Sequence, residues 1–194
     1  MSVKAVEVAK FVRSSIEPLA DPIYGNRYRC AAYLLDGTYL PCVVFQSKKK
    51  LIELYLRRMK QLRWRPSQKR TVISSFVTGD SRIAHYDLKS VESSPFAWPL
   101  AILKTIHGET IMSWTAFVVE MHDGTMHSYG TEFSAEFFDL PNGYSYTDIA
   151  TIHSGMVYSP SHGLQKFSIE LFKDSPPPLR EKPFFTCYLD ELDE

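Results

Sequence analysis

Two copies of the turn sequence Asp-Gly-Thr constrain the fold of this chain more than any other feature. They occur at 36–38 and 123–125, and each divides a run rich in β-branched and aromatic residues, over 28–45 and 114–131. Asp-Gly is the pair that two-residue type I′ hairpin turns prefer, because both central residues of that turn adopt a positive φ. Consecutive hairpins predict an antiparallel sheet rather than a doubly wound parallel one.

The rest of the chain adds helices and further strands to these hairpins. Gly79-Asp80 is a weaker hairpin signal within 71–88, and 184–189 has the pattern of a final strand. Apolar residues at helical spacing predict helices near 3–16, 47–64 and 95–106. The sequence therefore predicts a single globular α+β domain over 1–194. We expect an antiparallel, strongly curved sheet of about eight strands, with three helices packed on it.

Pro41 lies inside the second strand of the first predicted hairpin. Proline has no N–H to donate, so this strand is predicted to be a sheet edge or to carry a β-bulge. Counting back from a two-residue turn at Asp36-Gly37 pairs Cys30 with Val43. The side chains of Cys30 and Cys42 then point to opposite faces of the sheet, and we expect no disulfide between them.

Charge is distributed very unevenly along the chain. The 22 basic and 22 acidic residues give a formal net charge of zero, but 48–70 holds ten basic residues and one acid. That segment carries +9 and the remaining residues carry −9. Most of it is expected to be helical, with Ser47 as the N-cap and with one buried apolar arc. The residues expected in that arc are Ile52, Tyr55, Leu56, Met59 and Leu62.

The basic helical segment at 47–70 is predicted to form a partner-binding surface. Lysine and arginine neutralise carboxylates or phosphates, and an indole ring among them can stack on a nucleic-acid base. We expect the partner to be an acidic protein surface or nucleic acid. In the competing interpretation the segment is solvated, or pairs with the acidic C-terminal tail at 190–194. The residues assigned to the surface are Lys49, Lys50, Arg57, Lys60, Arg63, Trp64 and Arg65.

A second cluster of functional side chains is predicted at the turn of the 114–131 hairpin. With a two-residue turn at Asp123-Gly124, Glu120 pairs with His127 and lies on one face with His122. Two imidazoles and a carboxylate can ligate a divalent metal, or Glu120 can orient His127 as a general base. A solvated hairpin face collects the same residue types, and the spacing matches no zinc motif. No catalytic or metal-binding residue is therefore assigned.

These observations favour a non-enzymatic binding or regulatory protein whose basic helix engages an acidic protein surface or nucleic acid. The alternatives are a sequence-independent nucleic-acid-binding protein and a metal-assisted or acid-base enzyme using Glu120, His122 and His127. No cofactor is expected. The chain has no glycine-rich phosphate loop, which excludes nucleotide hydrolysis of the P-loop type. A cytoplasmic location without membrane association is expected, because the sequence shows no signal peptide, no long apolar run and no paired cysteine pattern.

Overall fold

The computed structural model describes a mixed α+β chain over residues 4–21, 25–61, 81–111, 114–132, 137–168, 170 and 179–193. Backbone contacts divide the chain into two compact units. The first comprises Met1–Pro95 and Phe184–Glu194, and the second comprises Phe96–Pro183. A compact unit need not fold independently, so the single domain predicted over 1–194 stays a prediction.

In its described residues, the first unit contains two α-helices and a six-stranded sheet. The helices are α1 (Ala5–Ser15) and α2 (Lys48–Gln61). The strands are β1 (Leu19–Asp21), β2 (Gly25–Leu34), β3 (Tyr39–Ser47), β4 (Arg82–Ile83), β5 (Leu88–Ser93) and β12 (Phe185–Leu189). β2 pairs antiparallel with β3, β1 and β5, whereas β12 pairs in parallel with both β3 and β4. The 3-10 helices His85–Asp87 and Asp190–Asp193 also belong to this unit.

The described residues of the second unit form two smaller sheets. The strands are β6 (Thr115–Met121), β7 (Met126–Thr131), β8 (Ile149–Ser154), β9 (Met156–Ser159), β10 (Gly163–Lys166) and β11 (Leu179–Arg180). One sheet has four strands in the order β11-β7-β6-β8, and the other pairs β9 with β10. A four-residue helix α3 (Leu100–Leu103) and a 3-10 helix (Tyr146–Asp148) also belong to it.

The prediction of one sheet of about eight strands is wrong, because the described strands form three sheets of six, four and two strands. The predicted α+β class and the mostly antiparallel pairing are confirmed. The exceptions are β11 and β12, which pair in parallel with strands far away in sequence. A parallel pair has no hairpin turn between its strands, and so it leaves no local signal in the sequence.

The three predicted helices are present, but the third is much shorter than expected. α1 lies within the predicted 3–16, and α2 within 47–64. The segment 95–106 contains only α3, because Pro99 has an extended ψ of 139° and the helix begins after it. The hairpin predicted over 71–88 lies largely outside the described residues; of its described part, β4 pairs with β12, and Leu88 begins β5.

The core of the first unit lies between α1 and one face of the six-stranded sheet. Val8, Ala9 and Val12 of α1 are buried in the same apolar cluster as Cys30 and Cys187 of the sheet. Burial raises the pKa of each of these two thiols to about 12. The core therefore contains thiols that stay protonated at neutral pH.

Both Asp-Gly turns are one residue longer than predicted. Leu34 donates its N–H to the Thr38 carbonyl at 2.9 Å, and Met121 donates to the Thr125 carbonyl at 2.9 Å, so three residues lie within each loop. The loop glycines have φ of +90° and +84°. Each aspartate accepts the N–H of the threonine two residues later, at 2.9 Å. Three-residue loops with a left-handed glycine also favour Asp-Gly, which explains why the sequence suggested the shorter turn.

The predicted bulge near Pro41 is confirmed. The β2–β3 register shifts between Cys30 and Ala32, which pair with Val43 and Leu40. The shift compensates for the longer turn, and so the predicted pairing of Cys30 with Val43 is correct. β3 is not an edge strand, because β12 pairs with its other side from Val43 onward. All three cysteines are free thiols.

Candidate functional site

Helix α2 carries the described part of the basic segment. The helix begins directly after β3, and the Lys50 N–H donates to Ser47 Oγ at 3.2 Å, which confirms the predicted N-cap. Its first turn contains three lysines, Lys48 to Lys50, and no acidic residue. A helix N-terminus carries partial positive charge and favours acids, so helix stability does not account for these lysines.

The buried face of α2 differs from the predicted one. Leu51 and Leu54 are buried, at 9% and 5% exposure, and they attach the helix to the first unit. Ile52 and Leu56, which were expected to be buried, are 46% and 50% exposed. Apolar residues occur around much of this helix, and the pattern alone does not show which of them meet the core. As a result, two large apolar side chains lie among the exposed cations.

Among the described residues, the acidic C-terminal segment makes its ion pair with α2 at the first residue of the helix. Lys48 Nζ lies 3.7 Å from Asp190 Oδ2, and Lys50 Nζ lies 3.5 Å from Glu53 Oε2 within the helix. All four side chains are more than half exposed, so both ion pairs are weak. Within the described ranges, no acidic group lies within ion-pair distance of the exposed Lys49, Arg57, Arg58 or Lys60.

The structure thus brings together on one exposed helix four of the seven residues predicted for the partner surface, namely Lys49, Lys50, Arg57 and Lys60. Arg63, Trp64 and Arg65 lie outside the described residues, and their assignment stays a prediction. Sequence reasoning missed the exposed Ile52 and Leu56 as members of the surface. The available signal was that Leu51 and Leu54 form a second apolar face, which can hold the helix on the core.

The cluster predicted at Glu120, His122 and His127 does not form. Because the turn is one residue longer, Glu120 pairs with Met126, and His127 pairs with Val119. Glu120 and His127 therefore lie on opposite faces of the sheet. His122 is exposed within the turn, where its N–H donates to the Asp148 carbonyl at 2.8 Å. No group of three His, Cys, Asp or Glu side chains arranged for metal binding occurs among the described residues.

Glu120 has a different histidine as its neighbour. His153 on β8 pairs with Val118 of β6, on the same face as Glu120. Its Nε2 lies 2.8 Å from Glu120 Oε2, and both side chains are part-buried. This pair was missed because β8 follows β7 only after a long connection, so no turn signal links His153 to β6.

The β6–β7 turn holds a compact hydrogen-bonded cluster of Asp123, Thr125 and Tyr144. Tyr144 donates its hydroxyl to Asp123 Oδ2 at 2.7 Å, and Thr125 donates both its N–H and its hydroxyl to Asp123 Oδ1. The Tyr144 hydroxyl and the two bonds from Thr125 lower the pKa of Asp123 to about 2. These hydrogen bonds fix the conformation of the turn. They occupy the N–H and hydroxyl of Thr125 and the hydroxyl of Tyr144.

Comparison with known proteins yields no relative from which an activity can be transferred: no protein-family model, curated protein or solved structure matches the chain. In the part of the chain that the structure describes, none of the helices combines the length and apolar character needed to cross a membrane.

Proposed function

We propose that this chain is a non-enzymatic binding protein whose helix α2 engages an acidic protein surface. The observation that carries this proposal is the exposed face of α2. There, Lys49, Arg57 and Lys60 lie beyond ion-pair distance of any acidic group among the described residues, and Ile52 and Leu56 are exposed beside them. Protein interfaces commonly combine apolar contacts with complementary charge, which fits this mixture.

Sequence-independent binding of nucleic acid is the second candidate. It is supported by the density of basic residues, because 48–70 carries a formal charge of +9. Phosphate neutralisation requires such a density, but it makes no use of exposed isoleucine and leucine. The apolar side chains of α2 are the reason for ranking an acidic protein surface first.

The two candidates are separated by titrating the protein with polyglutamate and with a single-stranded oligonucleotide of similar charge. We expect the protein to bind polyglutamate, and its affinity to fall as salt is raised from about 50 mM to about 200 mM. The triple variant Lys49→Glu, Arg57→Glu, Lys60→Glu should lose this binding. The matched control reverses three exposed lysines elsewhere, Lys89→Glu, Lys104→Glu and Lys166→Glu, and should retain most of it.

The control has the same net charge as the α2 variant, so the comparison separates a local surface from a general charge effect. Equal loss of binding in both variants would contradict a site on α2. Tighter binding of the oligonucleotide than of polyglutamate would replace the first candidate with the second.

A further inference from the structure

The exposed apolar side chains of α2 have a regular spacing. Ile52, Leu56 and Met59 are separated by four and then three residues, and Met59 is partly exposed beside the other two. At about 100° per residue these three side chains lie within an arc of about 60°. The same four-three spacing defines the contact line between paired helices in coiled coils. Along the helix axis the line extends over about 10 Å.

This line of side chains differs from the face that holds α2 on its own unit. Leu51 and Leu54 are buried, and at about 100° per residue their mean direction lies about 140° away from that of the line. Isolated exposed apolar residues are common on protein surfaces, but three in register along one helix form a contact surface. A second helix lying along α2 would cover all three.

The charges bordering this line determine which kind of helix fits. Lys48 and Lys49 lie one turn before Ile52, and Lys60 lies one turn after Leu56, so cations border the line near both ends. In total, α2 contains six basic residues and one acid, a formal charge of +5. Pairing with α2 of a second copy would place two such charges side by side, which repulsion disfavours. An acidic helix gains attraction at the same positions.

We infer that the partner of α2 is an acidic amphipathic helix whose apolar residues repeat at four-three spacing and pack against Ile52, Leu56 and Met59. This inference rests on the proposed function, since it names the partner of the same surface. The cations bordering the line accelerate association and select acidic partners, and the apolar contacts favour an ordered helical segment over an unstructured acidic chain.

Two synthetic peptides of identical composition test this inference. In the patterned peptide, leucines occur at four-three spacing and glutamates and alanines fill the other positions; in the scrambled peptide the leucines are dispersed. We expect the patterned peptide to bind the full chain about tenfold more tightly in fluorescence anisotropy. The double variant Ile52→Ser, Leu56→Ser should bind both peptides equally, because it keeps the charges and loses the apolar contacts.

A matched variant, Val6→Ser with Leu35→Ser, removes two exposed apolar side chains elsewhere in the same unit and should preserve the tenfold preference. Thermal melts of both variants should overlay that of the wild type, because all four side chains are exposed. Equal binding of the two peptides by the wild-type chain would overturn the helix inference and leave the acidic partner intact. Binding of neither peptide would overturn both.

Discussion

The Nε2 atom of His153 lies 2.8 Å from Oε2 of Glu120, and this contact joins β8 to β6 in the second unit. An ionised carboxylate only accepts hydrogen bonds, so the histidine nitrogen donates. The side chains are 25% and 32% exposed, which leaves the pair partly screened by solvent. We therefore assign this pair a structural role, in which it links two strands that lie far apart in the sequence.

A double-mutant cycle on Glu120→Ala and His153→Ala should give a coupling free energy of about 1 kcal/mol in urea unfolding. The matched control is the same cycle on Glu120→Ala and His127→Ala, for which we expect coupling near zero. Glu120 and His127 lie on opposite faces of the sheet. A larger coupling free energy between Glu120 and His127 than between Glu120 and His153 would contradict the strand register.

The two Asp-Gly turns show how much of the fold could be predicted from the sequence. The location and antiparallel pairing of both hairpins could be predicted, because Asp-Gly flanked by β-rich runs is a local signal. The loop length could not, because two- and three-residue loops both favour these residues. One extra residue in the loop moves every side chain of the second strand to the other face of the sheet. For this reason Glu120 and His127 lie on opposite faces. In the first hairpin the bulge near Pro41 restored the register.

Helix α2 shows the corresponding limit for the candidate site. The sequence predicted its position, its N-cap and its charge, all of which depend on nearby residues. It did not predict that Leu51 and Leu54 would be buried in place of Ile52 and Leu56, because burial depends on which face meets the rest of the unit. The apolar component of the surface therefore emerged only from the structure.

The Asp123 cluster should be more sensitive to substitution than its counterpart in the first hairpin. Asp123→Ala removes the acceptor for Tyr144 and Thr125, whereas Asp36→Ala removes only local bonds to Thr38. We expect the larger decrease in thermal midpoint for Asp123→Ala, measured by circular dichroism near neutral pH. Tyr144→Phe should lower the midpoint less in the Asp123→Ala background than in the wild type, because the carboxylate that accepts the Tyr144 hydroxyl is already absent. Equal decreases in thermal midpoint for Asp123→Ala and Asp36→Ala would contradict a stabilising role for the Tyr144 hydrogen bond.

The same carboxylate should contribute to the dependence of stability on pH. The Tyr144 hydroxyl, followed by Thr125, lowers the pKa of Asp123 to about 2 from its ordinary value of 3.8. The unfolded chain therefore binds a proton at Asp123 more readily than the folded chain does. The contribution of Asp123 to the free energy of unfolding is present above pH 3.8 and is lost as the pH falls toward 2. The difference in urea midpoint between the wild type and Asp123→Asn should shrink over that range. A difference that stays constant from pH 6 to about pH 2 would contradict the assignment.

The buried thiols should be unreactive in the native protein. Burial raises the pKa of Cys30 and Cys187 to about 12, so these two thiols form little reactive thiolate at neutral pH. Cys42 is buried as well, which keeps the reagent away from it. With an aromatic disulfide reagent at pH 7.5, we expect labelling only as fast as the chain unfolds. In denaturant, the same sample should release three equivalents of product. Immediate labelling of Cys30 or Cys187 in the native protein would contradict their placement in the core.

Gly130 on β7 should tolerate no side chain, because a Cβ at this position would overlap the indole ring of Trp114. The position is buried in a paired strand opposite Ala116, so the methyl group can be accommodated only if the backbone or the Trp114 ring is displaced. We expect Gly130→Ala to lower the free energy of unfolding by about 3 kcal/mol. Trp114→Ala should also destabilise the protein, through the loss of buried aromatic area.

The double variant Gly130→Ala, Trp114→Ala separates steric overlap from the effect of alanine on the strand itself. Removing the indole creates the space that the new methyl group needs, so the cost of Gly130→Ala should be far smaller in the Trp114→Ala background. Urea unfolding of the four proteins measures this coupling. Additive free-energy changes would show that the methyl group does not meet the indole. The destabilisation by alanine would then have to come from the backbone.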